Sequence, residues 1–320
     1  MTYHVKTVDA ARGHWSGILQ KLGVAQSFLT GRHGPCPFCG GKDRWRWVDE
    51  GGNGGGICNQ CGGVGNGIDL VMKLRDCDFK EASREVDAVL GNHRFEPDAP
   101  RKSISPEDRA AKLREVWKQS SPTVEGDLVH RYLEARGVDQ RQYWGLRTSE
   151  GIWSPEGTFP AMIGVVSDHT GKPVSLHRTF LDGKGGKAPI ERARMLMPGE
   201  LVDGCCIRLS ELGDNDEVLG VAEGIETALA ASAIFEIPVW AVLNTSMMTK
   251  WIPPEGIREV VIFGDNDANH AGHRAAYALS NILRTHQRYT GLATSVQIPP
   301  VEGMDWNDDL LARRKSETPA

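Results

Sequence analysis

Short apolar runs alternate with helical patterns over the last third of the chain. The runs are rich in Val and Ile and close on Gly or Asn, which is typical of buried strands in a parallel sheet. Apolar residues at helical spacing follow two of the runs, at 225–235 and 271–286. The pattern therefore predicts βαβ units, with strands near 217–222, 238–243, 258–263 and 293–298.

The preceding part of the chain is patterned differently. Apolar residues at helical spacing predict further helices at 15–22, within 68–90 (two segments), at 108–120 and at 126–136. Strand patterns at 161–167 and 173–180 flank a turn containing Gly, which predicts a β-hairpin. Residues 92–107 contain three prolines among charges and serines. Such a segment has little to bury, so we expect a linker between two domains there.

Composition limits the classes of protein that fit. A chain of 320 residues with 40% apolar content can hold two domains with a substantial core. The net charge of -5 argues against a protein that coats nucleic acid by charge alone, although local basic patches are compatible with it. No apolar stretch approaches the ~18 residues that span a bilayer, and residues 1–22 lack the layout of a secretory signal. We expect a cytoplasmic protein.

Acidic residues stand where two of the predicted strands end. Glu223 follows the first of these strands, and Asp265 and Asp267 follow the second. Ligands of parallel sheets bind at the carboxyl ends of the strands, so we expect these acids to lie together. Their oxygens suit a hard cation such as Mg²⁺, whereas acids in solvated turns are the alternative. Glu226 is interpreted as a first-turn acid that favours the helix N-terminus.

Four of the seven cysteines form two C-x2-C pairs, Cys36 with Cys39 and Cys58 with Cys61, separated by 18 residues. This spacing is typical of a zinc ion held by four thiolates, and a site filled by protein ligands is structural. Burial of the cysteines as small apolar groups is the alternative. The remaining ones, Cys77, Cys205 and Cys206, are interpreted as packing residues.

Basic and aromatic residues alternate between the two cysteine pairs, on a predicted strand. The alternation places Lys42, Arg44 and Arg46 on one face and Trp45 and Trp47 on the other. One interpretation is a surface for single-stranded nucleic acid. The other is that the tryptophans form the core of the module and the basic residues are solvated, and for the tryptophans we favour the core.

These motifs resemble those of a known family. Residues 33–47, with Cys58 and Cys61, resemble the zinc ribbon of phage and plasmid primases, including those of satellite phages. The motifs at 222–230, 264–267 and 305–308 resemble a TOPRIM domain, which bacterial-type primases share with topoisomerases and some nucleases. The segment 132–188 is similar to the region that precedes TOPRIM in mobile-element primases. One departure is that many TOPRIM proteins carry a glycine soon after the paired aspartates, whereas here residues 268–271 intervene before Gly272.

The resemblance implies an α/β fold, in which a small four-cysteine zinc-ribbon domain is followed by a TOPRIM-containing primase core with a central parallel sheet. We expect a zinc-ribbon domain with flanking helices at 1–91, the linker at 92–107, an N-terminal primase-core subdomain at 108–216, a TOPRIM subdomain at 217–312 and a tail at 313–320.

The activity that the resemblance implies is that of a DNA primase, which makes short RNA primers on single-stranded DNA by metal-dependent nucleotidyl transfer. We expect one structural Zn²⁺ and a catalytic Mg²⁺ or Mn²⁺. The expected catalytic residues are Glu223, Asp265, Asp267, Asp305 and Asp308, of which the first three are also expected metal ligands. Glu223 has two open roles, as a metal ligand or as a general base. Asp305 and Asp308 have helix capping as their alternative role.

Basic residues of two segments, the one just before the TOPRIM strands and the strand between the cysteine pairs, are candidates for binding the phosphates of substrate or template. We expect this role for Arg178, Lys184, Lys187, Lys42, Arg44 and Arg46, with a solvated basic hairpin as the alternative for the segment before the TOPRIM strands. The segment 183–187 lacks the spacing of a P-loop.

The expected partners are single-stranded DNA, ribonucleoside triphosphates and a separate replicative helicase, without a membrane. No ATPase motif is present in the sequence, and little chain follows the TOPRIM pattern, so we expect a protein of a phage, plasmid or other mobile element. A TOPRIM nuclease, a topoisomerase fragment and a non-enzymatic nucleic-acid-binding protein are the alternatives.

Overall fold

The computed structural model describes residues 7–92, 105–138, 142–199 and 201–317. The chain divides into two units, Met1–Ser103 and Ile104–Ala320. The expected linker at 92–107 falls mostly on residues 93–104, which lie outside the described residues, as do residues 318–320 of the expected tail. Within the described ranges, no helix combines the length and apolar character that crossing a bilayer requires.

A three-stranded antiparallel sheet forms the centre of the first unit. Its strands are β1 (His33–Cys36), β2 (Gly40–Trp47) and β3 (Gly56–Cys58). The helices of this unit are α1 (Thr7–Ala11), α2 (Trp15–Lys21), α3 (Gly67–Arg75) and α4 (Phe79–Asn92), with 3-10 turns at Gln26–Leu29 and Glu50–Gly52. The helices predicted at 15–22 and within 68–90 are thereby confirmed.

The tryptophans of β2 belong to the core of the first unit. Trp45 and Trp47 are each 1% exposed and lie in one apolar cluster with Trp15 of α2. The ring of Trp45 lies so close to β3 that a Cβ atom at Gly56 would be 2.3 Å from it. The core interpretation of the two tryptophans is therefore confirmed, and they are not a platform for bases.

The second unit contains the remaining helices and strands. Its first half comprises α5 (Pro106–Lys118), β4 (Ser121–Pro122), α6 (Leu128–Ala135), β5 (Leu146–Ser154), β6 (Gly157–Ser167), β7 (Pro173–Phe180), β8 (Arg194–Leu196) and β9 (Cys206–Ile207). Its second half comprises β10 (Val218–Ala222), α7 (Ile225–Phe235), β11 (Val239–Ala241), α8 (Thr245–Met248), β12 (Glu259–Phe263), α9 (Ala271–Thr285), a 3-10 turn (Gln287–Tyr289), β13 (Ala293–Gln297) and α10 (Trp306–Glu317). The predicted strands and helices of this part are confirmed, with small shifts at their ends.

One sheet runs through the described part of the second unit, in the order β13-β12-β10-β11-β9-β6-β5-β4, with β7 also paired with β6, and β8 paired with β7. The strands β10 to β13 pair in parallel. The other pairings are antiparallel. The expected parallel sheet is thus confirmed for the last third of the chain. The predicted hairpin is also confirmed, as β6 and β7, and it lies in the antiparallel part of the same sheet.

Parallel pairing determines which residues meet at one edge of the sheet. Ala222 of β10 is paired with Phe263 of β12. The chain therefore leaves both strands side by side, with Glu223 after one strand and Gly264 and Asp265 after the other.

The loop after β13 returns to the same edge and is bonded to it. The amide of Gly303 donates to the carbonyl of Asn266 (2.6 Å), and the amide of Asn266 donates to the carbonyl of Met304 (3.1 Å). The helix that follows, α10, is held by an aromatic cluster of Phe235, Phe263 and Trp306, whose ring centroids lie 4.9–5.7 Å apart. These contacts place the start of α10 beside the ends of β10 and β12. We call the acids there, Glu223, Asp265, Asp267 and Asp305, the carboxylate edge.

Candidate active site and metal centre

The four clustered cysteines converge at the ends of the small sheet. Cys36 ends β1 and Cys58 ends β3, while Cys39 and Cys61 lie in the turns that follow. The sulfur atoms of Cys36 and Cys61 are 3.7 Å apart, and those of Cys39 and Cys58 are 3.6 Å apart. A tetrahedral zinc ion with Zn–S bonds of about 2.3 Å requires sulfur atoms about 3.8 Å apart. The cysteines therefore fit one structural Zn²⁺.

Backbone amides also face these sulfur atoms. The amide of Phe38 donates to Sγ of Cys36 (3.4 Å), and the amides of Gln60 and Cys61 each donate to Sγ of Cys58 (3.3 Å). Such N–H donors stabilise the negative charge of thiolate ligands. Each C-x2-C turn thus supplies both the sulfur ligands and the groups that support them.

The basic residues of β2 differ in their surroundings. Lys42 and Arg46 are exposed, whereas Arg44 is half-buried. The side chain of Arg44 lies along Gly41, where an added Cβ atom would be 2.5 Å from Cδ of Arg44. The charged groups of Lys42 and Arg46 are therefore accessible from solvent. Their expected role in nucleic-acid binding stays a prediction.

At the carboxylate edge, Asp265 has the environment most suited to a cation. Its side chain is half-buried, and its buried Oδ1 atom has no hydrogen-bond partner. Burial, followed by the charges of Asp305 and Asp267, raises the pKa of Asp265 to about 7. A divalent cation would satisfy this oxygen and compensate the charge that burial and the neighbouring acids disfavour. The residues present therefore fit a hard metal ion.

The segment after Asp265 explains the departure from the family pattern. His270 has a left-handed backbone (φ 54°) just before α9, and the helix then begins at Ala271. Gly272 lies against the backbone of Asp265, where a Cβ atom would be 2.4 Å from the Asp265 carbonyl oxygen. The displaced glycine thus permits the close approach of α9 to the strand end.

Asp305 and Asp308 cap the N-terminus of α10. The amide of Asp308 donates to Oδ1 of Asp305 (2.9 Å), and the amide of Asp305 donates to Oδ2 of Asp308 (3.3 Å). Asp308 is exposed, whereas Asp305 is half-buried and acts electrostatically on Asp265. Burial raises the pKa of Asp305, as do the charges of Asp308 and Glu226. Capping does not exclude a second role for Asp305, because its charge is also part of the carboxylate edge.

The acids are less tightly gathered than the cysteines. Among the residues that the structure describes, the four cysteines are the group of three or more His, Cys, Asp or Glu close enough together to hold a metal ion, with ligand atoms within 4.8 Å. Glu223, Asp265 and Asp267 lie at the same edge of the sheet without forming such a group.

The basic residues of the hairpin region have specific partners. Arg178 is buried and donates to the carbonyl of Trp153 (3.1 Å). Lys187 forms an ion pair with Glu226 (3.1 Å). Lys184 is exposed on a turn whose amides, its own (2.7 Å) and that of Gly186 (2.9 Å), donate to Asp182. Of the three, Lys184 is the most exposed.

Glu226 is the centre of a buried ionic cluster. Its Oε1 atom accepts a hydrogen bond from the hydroxyl of Tyr132 (2.5 Å) and forms ion pairs with Arg194 (3.0 Å) and Lys187 (3.1 Å). Burial alone would raise the pKa of Glu226. The charges of Arg194 and Lys187, with the Tyr132 hydrogen bond, outweigh burial and hold this pKa well below its usual range. Glu226 is therefore ionised and compensates two cations.

His177 lies next to this cluster and is neutral. Burial, followed by the charge of Arg194, lowers the pKa of His177 to about 4. Its Nδ1 atom is buried without a hydrogen-bond partner. The positive charge of the cluster therefore comes from Lys187 and Arg194, and His177 adds none at neutral pH.

Family models match three consecutive parts of the chain. Residues 31–68 match the zinc-binding domain of primase-helicase, and residues 218–316 match a Toprim domain. The chain carries a primase-type zinc ribbon and a Toprim domain. Residues 107–209, which precede the Toprim domain, match a domain of unknown function (DUF7146). The zinc ribbon contains all four cysteines, and the Toprim domain contains the carboxylate edge and Glu226.

Solved primase structures are similar in outline. The primase fragment of the bacteriophage T7 primase-helicase is 14% identical, with a TM-score of 0.41, over 89% of this chain and 96% of that one. The Aquifex aeolicus primase, comprising its zinc-binding and RNA polymerase domains, is 15% identical, with a TM-score of 0.40, over 98% of this chain and 84% of that one. The E. coli primase catalytic core is 17% identical, with a TM-score of 0.35, over 66% of each chain.

Sequence reasoning missed the role of Glu226 in the Toprim domain. Its position in the first turn of α7 suggested only a favourable contact with the helix N-terminus. Its partners lie far away in sequence, with Tyr132 removed by 94 residues and Arg194 by 32. A usable signal was present, because Glu226 is followed by apolar residues on every side of α7, and such a helix is buried all round. A carboxylate on a buried helix requires cationic partners.

Proposed function

We propose that this protein is a DNA primase, which synthesises short RNA primers on single-stranded DNA by metal-dependent nucleotidyl transfer. The observation that carries the proposal is the buried, unpartnered Oδ1 atom of Asp265, which lies at the carboxylate edge of a Toprim domain in a chain with a primase-type zinc ribbon. Mg²⁺ or Mn²⁺ bound there would lower the pKa of the attacking 3′-hydroxyl and neutralise charge on the transferred phosphate.

The residues of the carboxylate edge have distinct proposed roles. Asp265 and Asp267 hold the cation through their oxygens, and Asp305, which also caps α10, adds negative charge beside them. Glu223 follows β10 at the same edge and serves either as a further ligand or as the general base. Asp308 is exposed and stabilises the cap that orients Asp305.

Phosphate groups are bound by basic residues near the same edge. Lys184 is exposed on its turn and contacts the phosphates of substrate or template, while the half-buried Lys187 and the buried Arg178 support the site. In the zinc ribbon, the exposed Lys42 and Arg46 contact the template backbone, and Arg44 lies between them on the same strand. The proposed partners are single-stranded DNA, ribonucleoside triphosphates and a separate replicative helicase.

A priming assay tests the proposal. Purified full-length protein is incubated with Mg²⁺ or Mn²⁺, labelled ribonucleotides and single-stranded DNA templates of varied sequence, and the products are sized on a gel. We expect short ribonucleotide products, which Asp265→Ala reduces by at least about a hundredfold. The control is Glu217→Gln, which removes an exposed carboxylate paired with Arg258 (2.9 Å) just before β10, at the opposite end of that strand from Glu223.

Two outcomes contradict the proposal. Wild-type protein that makes no product on any template is not a primase under these conditions, and equal yields from Asp265→Ala exclude Asp265 from the reaction. The same preparation is incubated with labelled DNA without nucleotides. Cutting that depends on Asp265 would identify a Toprim nuclease instead.

A further inference from the structure

The guanidinium of Arg194 lies near the carboxylate edge but is bonded to Glu226, an acid that is not part of that edge. Arg194 contacts Oε1 of Glu226 through Nη2 (3.0 Å), and its side chain is 49% exposed, whereas that of Glu226 is 4% exposed. The same Glu226 oxygen also pairs with Lys187 (3.1 Å) and accepts from Tyr132 (2.5 Å). Arg194 and Lys187 are thus bound to the same carboxylate oxygen of the Toprim domain.

Arg194 also lies within electrostatic reach of the carboxylate edge. Its charge acts on Asp265, and the charge of Asp305 acts on Arg194. Guanidinium groups are strong partners for carboxylates. Even so, Oδ1 of Asp265 has no hydrogen-bond partner, while Nη2 of Arg194 is bonded to Glu226. An ion pair between Arg194 and Asp265 would occupy the oxygen that a metal ion needs.

We propose that Glu226 is a positioning residue, which holds Arg194 and Lys187 away from Asp265 and so keeps the carboxylate edge open to a divalent cation. Glu226 does not itself contact the cation. The inference rests on the proposed function in one respect, since it takes Asp265 as a ligand of the metal. The inference further requires that metal binding depends on the charge of Glu226, a residue that is not itself a metal ligand.

Binding of Mn²⁺ to the zinc-loaded full-length protein, measured by calorimetry without nucleotides or DNA, tests this role. We expect Glu226→Gln to weaken Mn²⁺ binding by about tenfold or more, because the released Arg194 pairs with Asp265. Adding Arg194→Gln to this variant removes the competing guanidinium and is expected to restore most of the affinity. The control Glu217→Gln removes an ion pair with Arg258 at the other end of β10 and is expected to bind Mn²⁺ like the wild type.

The outcomes separate the inference from the proposed function. If Mn²⁺ binding is absent from the wild type, or is unchanged in Asp265→Asn, the metal assignment fails and the inference fails with it. If Asp265→Asn abolishes binding while Glu226→Gln binds like the wild type, the inference alone is wrong. A loss in Glu226→Gln that Arg194→Gln does not restore, or an equal loss in Glu217→Gln, shows a general structural effect and also overturns it.

A second variant decides the question if Glu226→Gln does not fold, as judged by circular dichroism. Glu226→Asp keeps the charge but is one methylene shorter, so it releases Arg194 only in part. We expect a severalfold loss of Mn²⁺ affinity that Arg194→Gln again restores. Unchanged affinity in folded Glu226→Asp would contradict the inference.

Discussion

A buried carboxylate that faces two cations stabilises a fold only while it is ionised. The folded-state pKa of Glu226 lies below its ordinary value of 4.5. Above pH 4.5 the acid is ionised in both the folded and the unfolded state, and its ion pairs contribute fully. As the pH falls below 4.5, the unfolded chain takes up the proton first, and the contribution is lost.

This linkage gives a prediction for Glu226→Gln. We expect the substitution to lower the free energy of unfolding by about 3 kcal/mol at pH 7, because it leaves Lys187 and Arg194 without their buried partner. The difference from the wild type should narrow as the pH falls below 4.5. Urea unfolding followed by circular dichroism at pH 7 and pH 4 measures both values. A difference that stays constant or widens towards pH 4 would contradict the ionised state of Glu226.

The two roles of Asp305 are separable by substitution. Asparagine caps a helix about as well as aspartate but carries no charge. We expect Asp305→Asn to change the free energy of unfolding by less than about 0.5 kcal/mol and to lower primer synthesis about tenfold. Asp305→Ala loses the cap as well and should cost about 1 kcal/mol. If Asp305→Asn makes primers at the wild-type rate, the residue is a cap and nothing more.

At the scale of elements, the small sheet of the zinc ribbon depends on its metal ion. The strands β1 to β3 are short, and both cysteine pairs lie at strand ends and turns, where one zinc ion would join the ends of β1 and β3, which do not pair with each other. Metal binding of this kind contributes directly to folding.

Replacing one ligand should therefore open the ribbon. We expect Cys58→Ser to lower the zinc content below one ion per chain and to expose the segment around residues 33–61 to protease. Cys77→Ser is the matched control, because Cys77 lies outside the cluster on the connection between α3 and α4. Metal analysis and limited proteolysis provide the measurements. Equal zinc loss in both variants would argue against the assigned ligands.

The elements also show what a sequence can and cannot predict. The strands β10 and β12 and the turns at Cys36 and Cys58 were predictable, because their signals lie within a few neighbouring residues. The partners of Glu226 were not, since only folding brings α6, β8 and the segment around Lys187 to the first turn of α7. For the same reason, the burial of Arg178 and its hydrogen bond to the carbonyl of Trp153 were not apparent from its strand pattern.

At the scale of the whole molecule, each unit has its own apolar core. The cluster around Trp15 and Trp45 contains residues of Met1–Ser103 alone. The clusters around Tyr132, Trp240 and Phe180 contain residues of Ile104–Ala320 alone. Units with separate cores can unfold separately.

Removal of zinc should therefore act on one unit only. We expect a chelator to lower the unfolding temperature of the zinc-ribbon unit in the full chain and to leave that of the second unit unchanged. A fragment of residues 105–320 should show the second transition alone, at the same temperature. Differential scanning calorimetry measures both. A single transition that shifts as a whole on chelation would show that the two units unfold together.

The ion pairs of Glu226 also limit how the second unit can be recombined. A chimera that takes residues 218–316 from a relative would import the acid of α7 and leave Tyr132, Lys187 and Arg194 behind in the host chain. If the donor uses a different set of partners, one buried charge loses its compensation. We therefore expect folded chimeras only when the segment from α6 to β8 is exchanged together with the Toprim domain. The part of the chain that can be exchanged as a whole is thus larger than the domain that carries the acids.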